Sequence, residues 1–511
     1  HKHQISIGNI KDNSYHNIMY ITNPIKSHIY SRPIDIHLTT NHFEIKELLD
    51  DLYNKYFSTR KKEIYKKHLK VLLLNLYVAW STDPRLEIGV EMSPNSYKSV
   101  KRYNQLNITS TLTDVVTELE NNNLIGLHKV SEANQRVSYI RTAPTLENYF
   151  KKIKLSIFDI KQNNEILVLK DNKKNEIDYL DDSNTSEMRK ILGKYNEILR
   201  QTFIDIPFLE KPYLQYKERK YTVNHHSKLV RRIFSNGSFD KGCRYHGGWW
   251  QSIGEKQREK ILMDDRETIE IDYKSLHPVL AYAKKGIDFW KGTNTTKYSY
   301  FNDAYDVPTF GIKDKEDSRE VIKLLFLTAL NAKNEKECFK SFRDQWDYDK
   351  YSYQGLFSDI FLQELLDSIR DRHYQIDDMF CSGFGVDLQK WDSDIVEYIV
   401  SDFTERNIPI LYINESFIIW KEQIDLLVNN MHTAIKWVTG IVEHPELKYD
   451  QFITLAWKDH KLNYLDKIGS GKDYYADNIP KLPLSTDKCK GYTERWNKHK
   501  SYFFKKYNDL K

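Results

Sequence analysis

"IEIDYKSLHP", residues 269–278, sets two acids in an otherwise apolar run. Glu270 and Asp272 alternate with Ile269 and Ile271, the period of a half-buried strand. The pattern breaks at Tyr273, and Pro278 follows in the next turn. Such a strand aims carboxylates from its end into whatever lies beyond it. Two later stretches, "SREVIKLLFLTALNA" (318–332) and "IPILYINESFIIW" (408–420), supply groups those carboxylates could face.

Taken as a helix, 318–332 spaces Arg319, Lys323, Leu327 and Asn331 by four, along one face. Two cations followed by an apolar residue suit a nucleoside triphosphate: charge for the polyphosphate, apolar surface for base or sugar. A surface helix with two basic residues is the plainer alternative. In 408–420, apolar strand-like runs flank Asn414 and Glu415, so a tight turn there puts Glu415 at a hairpin tip. Asp272 and Glu415 would then form a minimal set for two magnesium ions, with manganese as a substitute. One ion would activate an attacking hydroxyl and the other hold leaving phosphates.

This order resembles the palm and fingers of family A DNA polymerases and the related single-subunit phage RNA polymerases. The family's first motif, Asp-Tyr-Ser-x-x-Glu, is matched by Asp272-Tyr273-Lys274-Ser275-Leu276-His277. Its fingers helix, Arg-x3-Lys-x3-Phe-x3-Tyr-Gly, is matched by Arg319, Lys323, Leu327, Asn331 and Ala332. Its final His-Asp is matched by Asn414-Glu415, and its Gly-Arg and Gln-Asn-Ile-Pro segment by "GCRYHGGWWQSI" (242–253), through Arg244 and Gln251. The likeness spans about 225–440.

The resemblance implies an α+β right-hand fold: a palm with an antiparallel sheet, and helical fingers and thumb. It implies Asp272 and Glu415 as metal ligands and Lys323 as the acid that protonates pyrophosphate. Arg319 would hold phosphates, and Tyr273 and His277 would border the nucleotide. Arg244 and Gln251 would touch template or primer backbone. Four departures stand out: Glu for Asp at 415, Asn for His at 414, His for Glu at 277, and Asn for Tyr at 331. The last two leave sugar choice open, although a bulky His277 disfavours a ribose 2′-hydroxyl.

Ahead of this core, "KKEIYKKHLKVLLLNLYVAW", "NSYKSVKRYNQL" and "ITSTLTDVVTELENNNL" read as three helices, and "LIGLHKV" and "RVSYIRTA" as a hairpin. That order resembles a winged helix-turn-helix over 61–150, with Lys98, Lys101, Arg102, Lys129 and Arg136 available to phosphates. A small helical packing domain is the plainer alternative. Residues 1–60 carry little pattern. Residues 151–225 hold an expected hairpin, "EILVLKDNKKNEIDYLD", and an amphipathic helix at 187–203. Residues 441–511 end in a basic and aromatic extension that could track a single strand or form a packed helix.

The chain of 511 residues has a net charge of only +5, so any polyanion must be held by local patches. Its four cysteines lie far apart in sequence and form no zinc-type spacing, which points to a reducing, cytoplasmic setting. The longest apolar run, 71–80, is too short to span a membrane. The expectation is a template-directed DNA polymerase of a phage or mobile element. It would act on DNA template and primer with nucleoside triphosphates, with other replication proteins as further partners. RNA synthesis, priming and untemplated tailing stay open, as does a non-catalytic DNA-binding protein built on a palm.

Overall fold

The computed structural model of the protein describes residues 30–93, 95–97, 99–129, 137–216, 219–291, 303–348, 351–443, 445, 447–449 and 488–504. It is a mixed α/β chain with several small sheets. Two compact units are present. The first takes in the described residues up to 97, 108–159 and 215–220; the second takes in 99–107, 160–214 and the described residues from 221 onward.

In the first unit, helix Lys62–Thr82 buries an apolar run from Leu69 to Ala79. Helix Phe43–Tyr56 precedes it, in a region where the sequence shows little pattern. A four-stranded sheet runs Ser31–Pro33, Glu87–Glu91, Val137–Thr142, Ile125–Lys129. The first pair is parallel and the others antiparallel. Helix Thr111–Asn121 buries Leu112, Val115, Val116 and Leu119, the stripe its period predicts. The same helix carries Asp114, Glu118 and Glu120 and no basic residue. Carboxylates on that surface repel phosphates, so its chemistry is unfavourable for a groove-reading helix.

The helix expected at 95–106 is not formed among its described residues. They hold a single 3-10 turn, Lys101–Tyr103. Tertiary bonds override the local pattern: the Tyr103 hydroxyl donates to Ile177 O at 2.9 Å and accepts from Leu169 N at 2.9 Å. The hairpin expected at 165–181 forms only next to its turn. Strand Leu167–Leu169 pairs in parallel with Val230–Phe234, and a lone bridge joins Lys170 to Glu176 across the turn.

The second unit is organised around strand Arg266–Tyr273. Its antiparallel sheet runs Leu411–Ile413, Ser416–Trp420, Arg266–Tyr273, Leu262–Met263, Ile204–Asp205, and Leu447–Tyr449 also pairs with the central strand. Ile269, Ile271 and Tyr273 are buried while Glu270 and Asp272 are half-buried, so the strand has one apolar and one acidic face. Helix Ile424–Thr439 packs against the sheet, and the Tyr273 hydroxyl donates to Met431 O on it at 2.6 Å. Helix Gly385–Glu405 packs against Ile424–Thr439, Leu276–Lys284 and Ser183–Gln201. Helix Lys490–Tyr502 covers part of the C-terminal extension; residues 451–487 and 505–511 lie outside the described ones.

All four cysteines are free thiols. Cys338 and Cys381, remote in sequence, lie near enough to influence each other, and the Cys338 thiol donates to the Thr328 hydroxyl at 3.7 Å. No helix among the described residues is long and apolar enough to cross a membrane.

Candidate functional site

The two acids of the opening strand have different fates. Glu270 accepts from Arg258 Nε and Nη2, both at 2.8 Å, and from the Ser416 hydroxyl at 2.6 Å. Its charge is thereby neutralised. Asp272, two residues on, borders a cavity of about 480 Å3 at the strand's end.

Glu415 reaches the same cavity from the hairpin. Ile413 pairs with Ser416, so Asn414 and Glu415 form a two-residue tip, and Asp272 stands opposite Ser416 on the neighbouring strand. Asn414 has φ +49°, a left-handed conformation that asparagine tolerates better than most side chains. Tight-turn geometry is therefore a physical reason for Asn at this position. After Tyr273 the chain turns sharply at Ser275, φ +56°, the residue before helix Leu276–Lys284. That turn brings His277 back to the hairpin, with Nδ1 3.0 Å from Glu415 Oε1.

Helix Lys315–Asn331 forms the facing wall. Asp314 caps it by accepting from Asp317 N at 2.8 Å. Arg319, Lys323 and Leu327 are half-buried and line the cavity, while Val321, Ile322, Leu325 and Phe326 go into the core. Arg319 is already engaged: Asp303 takes its Nε at 2.5 Å and Nη2 at 3.2 Å, and Glu320 takes Nη1 at 3.1 Å. Lys323 forms no ion pair among the described residues. Asn331 is exposed, bonds Leu327 O at 2.7 Å, and is not among the cavity-lining residues. A side chain at Gly385 would collide with it, so Asn331 belongs to a helix-to-helix contact.

Behind Glu415 stands Asp392, a buried acid on helix Gly385–Glu405. Burial, and then the Glu415 charge, push its carboxyl up to about 7, against the pull of His277 and Arg244. Burial also works to raise Glu415, but His277, Arg244 and Lys323 outweigh it and hold the carboxyl below its usual range. Burial tends to lower His277; Glu415 and Asp392 overcome that and raise it. The sequence pattern around Asp392 gives it no role. One acid in "WDSDIVEYIV" has no local feature that marks it as buried.

The remaining expected residues are placed as follows. Tyr273 borders the cavity, but its ring is buried and its hydroxyl bonds Met431, so its side chain is core rather than nucleotide contact. Gln251 uses both ends of its amide, accepting from Gly247 N and donating to Tyr412 O, each at 3.0 Å. Arg244 lies close enough to influence Glu415, Asp392 and His277, a corner of acids rather than an outer surface for backbone phosphates. Arg102 is spent on Asp178 at 2.6 Å and on Glu165 and Asp181 at 3.3 Å, with its guanidinium stacked over Tyr179. That network satisfies the charge expected to meet DNA. Lys101 is exposed. Lys98 and Arg136 lie outside the described residues, as does the side chain of Lys129.

Five carboxylates and three lysine or arginine side chains line the cavity among the described residues. A polyphosphate entering it alone would meet net repulsion. Divalent cations would reverse that balance, and carboxylate oxygens such as those of Asp272 and Glu415 are the ligand type that magnesium and manganese take, their shells completed by water and substrate oxygens. No family model matches the chain, and no curated protein matches its sequence.

Proposed function

We propose that the chain is a nucleotidyltransferase that extends a nucleic-acid 3′ end, most simply a template-directed DNA polymerase with a palm-and-fingers core like that of family A. One observation carries the reading. Asp272, Glu415, Arg319, Lys323 and Leu327 come from three separated stretches, and all of them line one cavity of about 480 Å3.

Bound divalent ions would supply activation of the attacking hydroxyl and charge neutralisation on the phosphates. Asp272 and Glu415 fix where such ions can sit. Lys323 offers an unengaged ammonium to the leaving phosphates and a proton to the departing pyrophosphate. Arg319 adds charge once it exchanges Asp303 for substrate. Leu327 gives the base or sugar an apolar surface. Duplex binding by the first unit is not needed for this reading.

Primer extension tests it. Labelled dNTPs or NTPs are offered with and without template, in magnesium and in manganese. Incorporation that needs template and dNTPs supports the proposal; NTP use or untemplated tailing moves it to another polymerase class. Asp272→Asn should abolish incorporation, and full activity in that variant would remove the assignment. DNA binding without incorporation in every metal leaves a non-catalytic binding protein.

A further inference from the structure

We propose that His277, Asp392 and Glu415 hold one divalent transition-metal ion, bound by the chain alone without nucleotide or nucleic acid, at a site that does not include Asp272. One ligand atom from each of the three lies within 4.8 Å of the others, the only such group of His, Cys, Asp or Glu among the described residues. The three come from helix Leu276–Lys284, helix Gly385–Glu405 and the hairpin tip, so tertiary structure brings them together.

Two features bear on an ion here: a separation that an ion shares with an ordinary hydrogen bond, and a buried acid that the ion pair leaves unsatisfied. Ligand atoms about 2.1 Å from a metal at right angles lie about 3.0 Å apart. His277 Nδ1 and Glu415 Oε1 already have that 3.0 Å separation. Asp392 is the second feature. It is only 2% exposed, and its Oδ1 has no hydrogen-bond partner among the described residues. A buried carboxylate oxygen without a partner is costly, and a cation relieves it.

The donor set selects the class of ion. One imidazole and two carboxylates suit Mn2+, Fe2+, Co2+ or Zn2+, whereas magnesium prefers oxygen alone. Arg244 nearby offsets part of the acidic charge without cancelling both carboxylates. On binding, the ion takes the place of the proton between His277 Nδ1 and Glu415 and of any proton on Asp392, and these protons leave to solvent. His277 and Glu415 also border the cavity, so the ion's remaining positions open towards it.

Metal titration of the whole chain decides the matter. The chelator-stripped protein is titrated with Mn2+, and free ion is followed by electron paramagnetic resonance with no nucleotide present. One ion per chain is expected. Asp392→Asn and His277→Gln should each weaken binding at least tenfold, with folding checked by circular dichroism. Pulsed resonance should show a directly bound imidazole nitrogen in the wild type and lose it in His277→Gln. Asp272→Asn should keep the ion. Absence of stoichiometric Mn2+, Co2+ and Zn2+ binding overturns the site, as does a nitrogen signal that survives in His277→Gln. The readout is separate from incorporation: a loaded but inactive protein defeats only the polymerase reading, and an active protein without this ion defeats only this site.

Discussion

His277 Nδ1 lies 3.0 Å from Glu415 Oε1, tying the helix after the acidic strand to the tip of the neighbouring hairpin. Glu415 is buried, which raises its carboxyl, and His277 leads the groups that reverse this and keep it ionised. Without the imidazole, burial acts with less opposition. In His277→Ala the acidic limb of the incorporation pH profile should therefore move to higher pH. A limb that stays in place would mean that Glu415 is not the group titrating there.

Arg319 and Lys323 share a helix face but not a state of engagement. Asp303 and Glu320 hold the Arg319 guanidinium, whereas Lys323 has no ion-pair partner among the described residues. Lys323→Ala should raise KM for the triphosphate by about tenfold, equivalent to about 1.4 kcal/mol. Asp303→Asn should lower KM, because Arg319 no longer has to exchange one anion for another. Steady-state incorporation kinetics check both, and a raised KM in Asp303→Asn would show that Asp303 positions Arg319 rather than competing for it.

What the sequence revealed follows from the range of the forces involved. The alternation at 269–272 and the four-residue spacing of Arg319, Lys323 and Leu327 are local periodicities, and the chain keeps both. The tight turn at Asn414-Glu415 is equally local. Asp392 could not be found this way, because its burial depends on how helix Gly385–Glu405 packs and its neighbours arrive from remote stretches. The same holds for Asp303 on Arg319 and Arg258 on Glu270. At Tyr103 a local helical pattern was outweighed by two bonds to remote backbone, and at 167–169 the strand takes a parallel partner while the hairpin forms only next to its turn.

Arg258 and Glu270 make a bidentate pair with side chains only 14% and 11% exposed. Removing one partner from such a pair leaves a charge without compensation and costs roughly 3–5 kcal/mol. Denaturant unfolding of Arg258→Ala should show a loss of that order. Replacing both residues with Met removes the stranded charge as well, and should restore most of the stability. A double variant as unstable as the single one would assign the loss to packing instead.

His373 sets a pH dependence of stability away from the cavity. Its ring lies in the core, with Nε2 2.8 Å from Ala304 O and Nδ1 3.0 Å from the Tyr282 hydroxyl. Burial lowers its pKa to about 4; the Ala304 bond opposes this and Arg372 adds to it. The unfolded chain takes up this proton near the ordinary value of about 6.5, so it binds more protons than the folded chain between the two values. The contribution is therefore complete above about pH 6.5 and is lost as pH falls towards 4, amounting to about 3 kcal/mol over that window. Unfolding midpoints measured from pH 7 to pH 4.5 should fall steeply in the wild type and less steeply in His373→Gln. Equal slopes in the two proteins would assign the acid sensitivity to other groups.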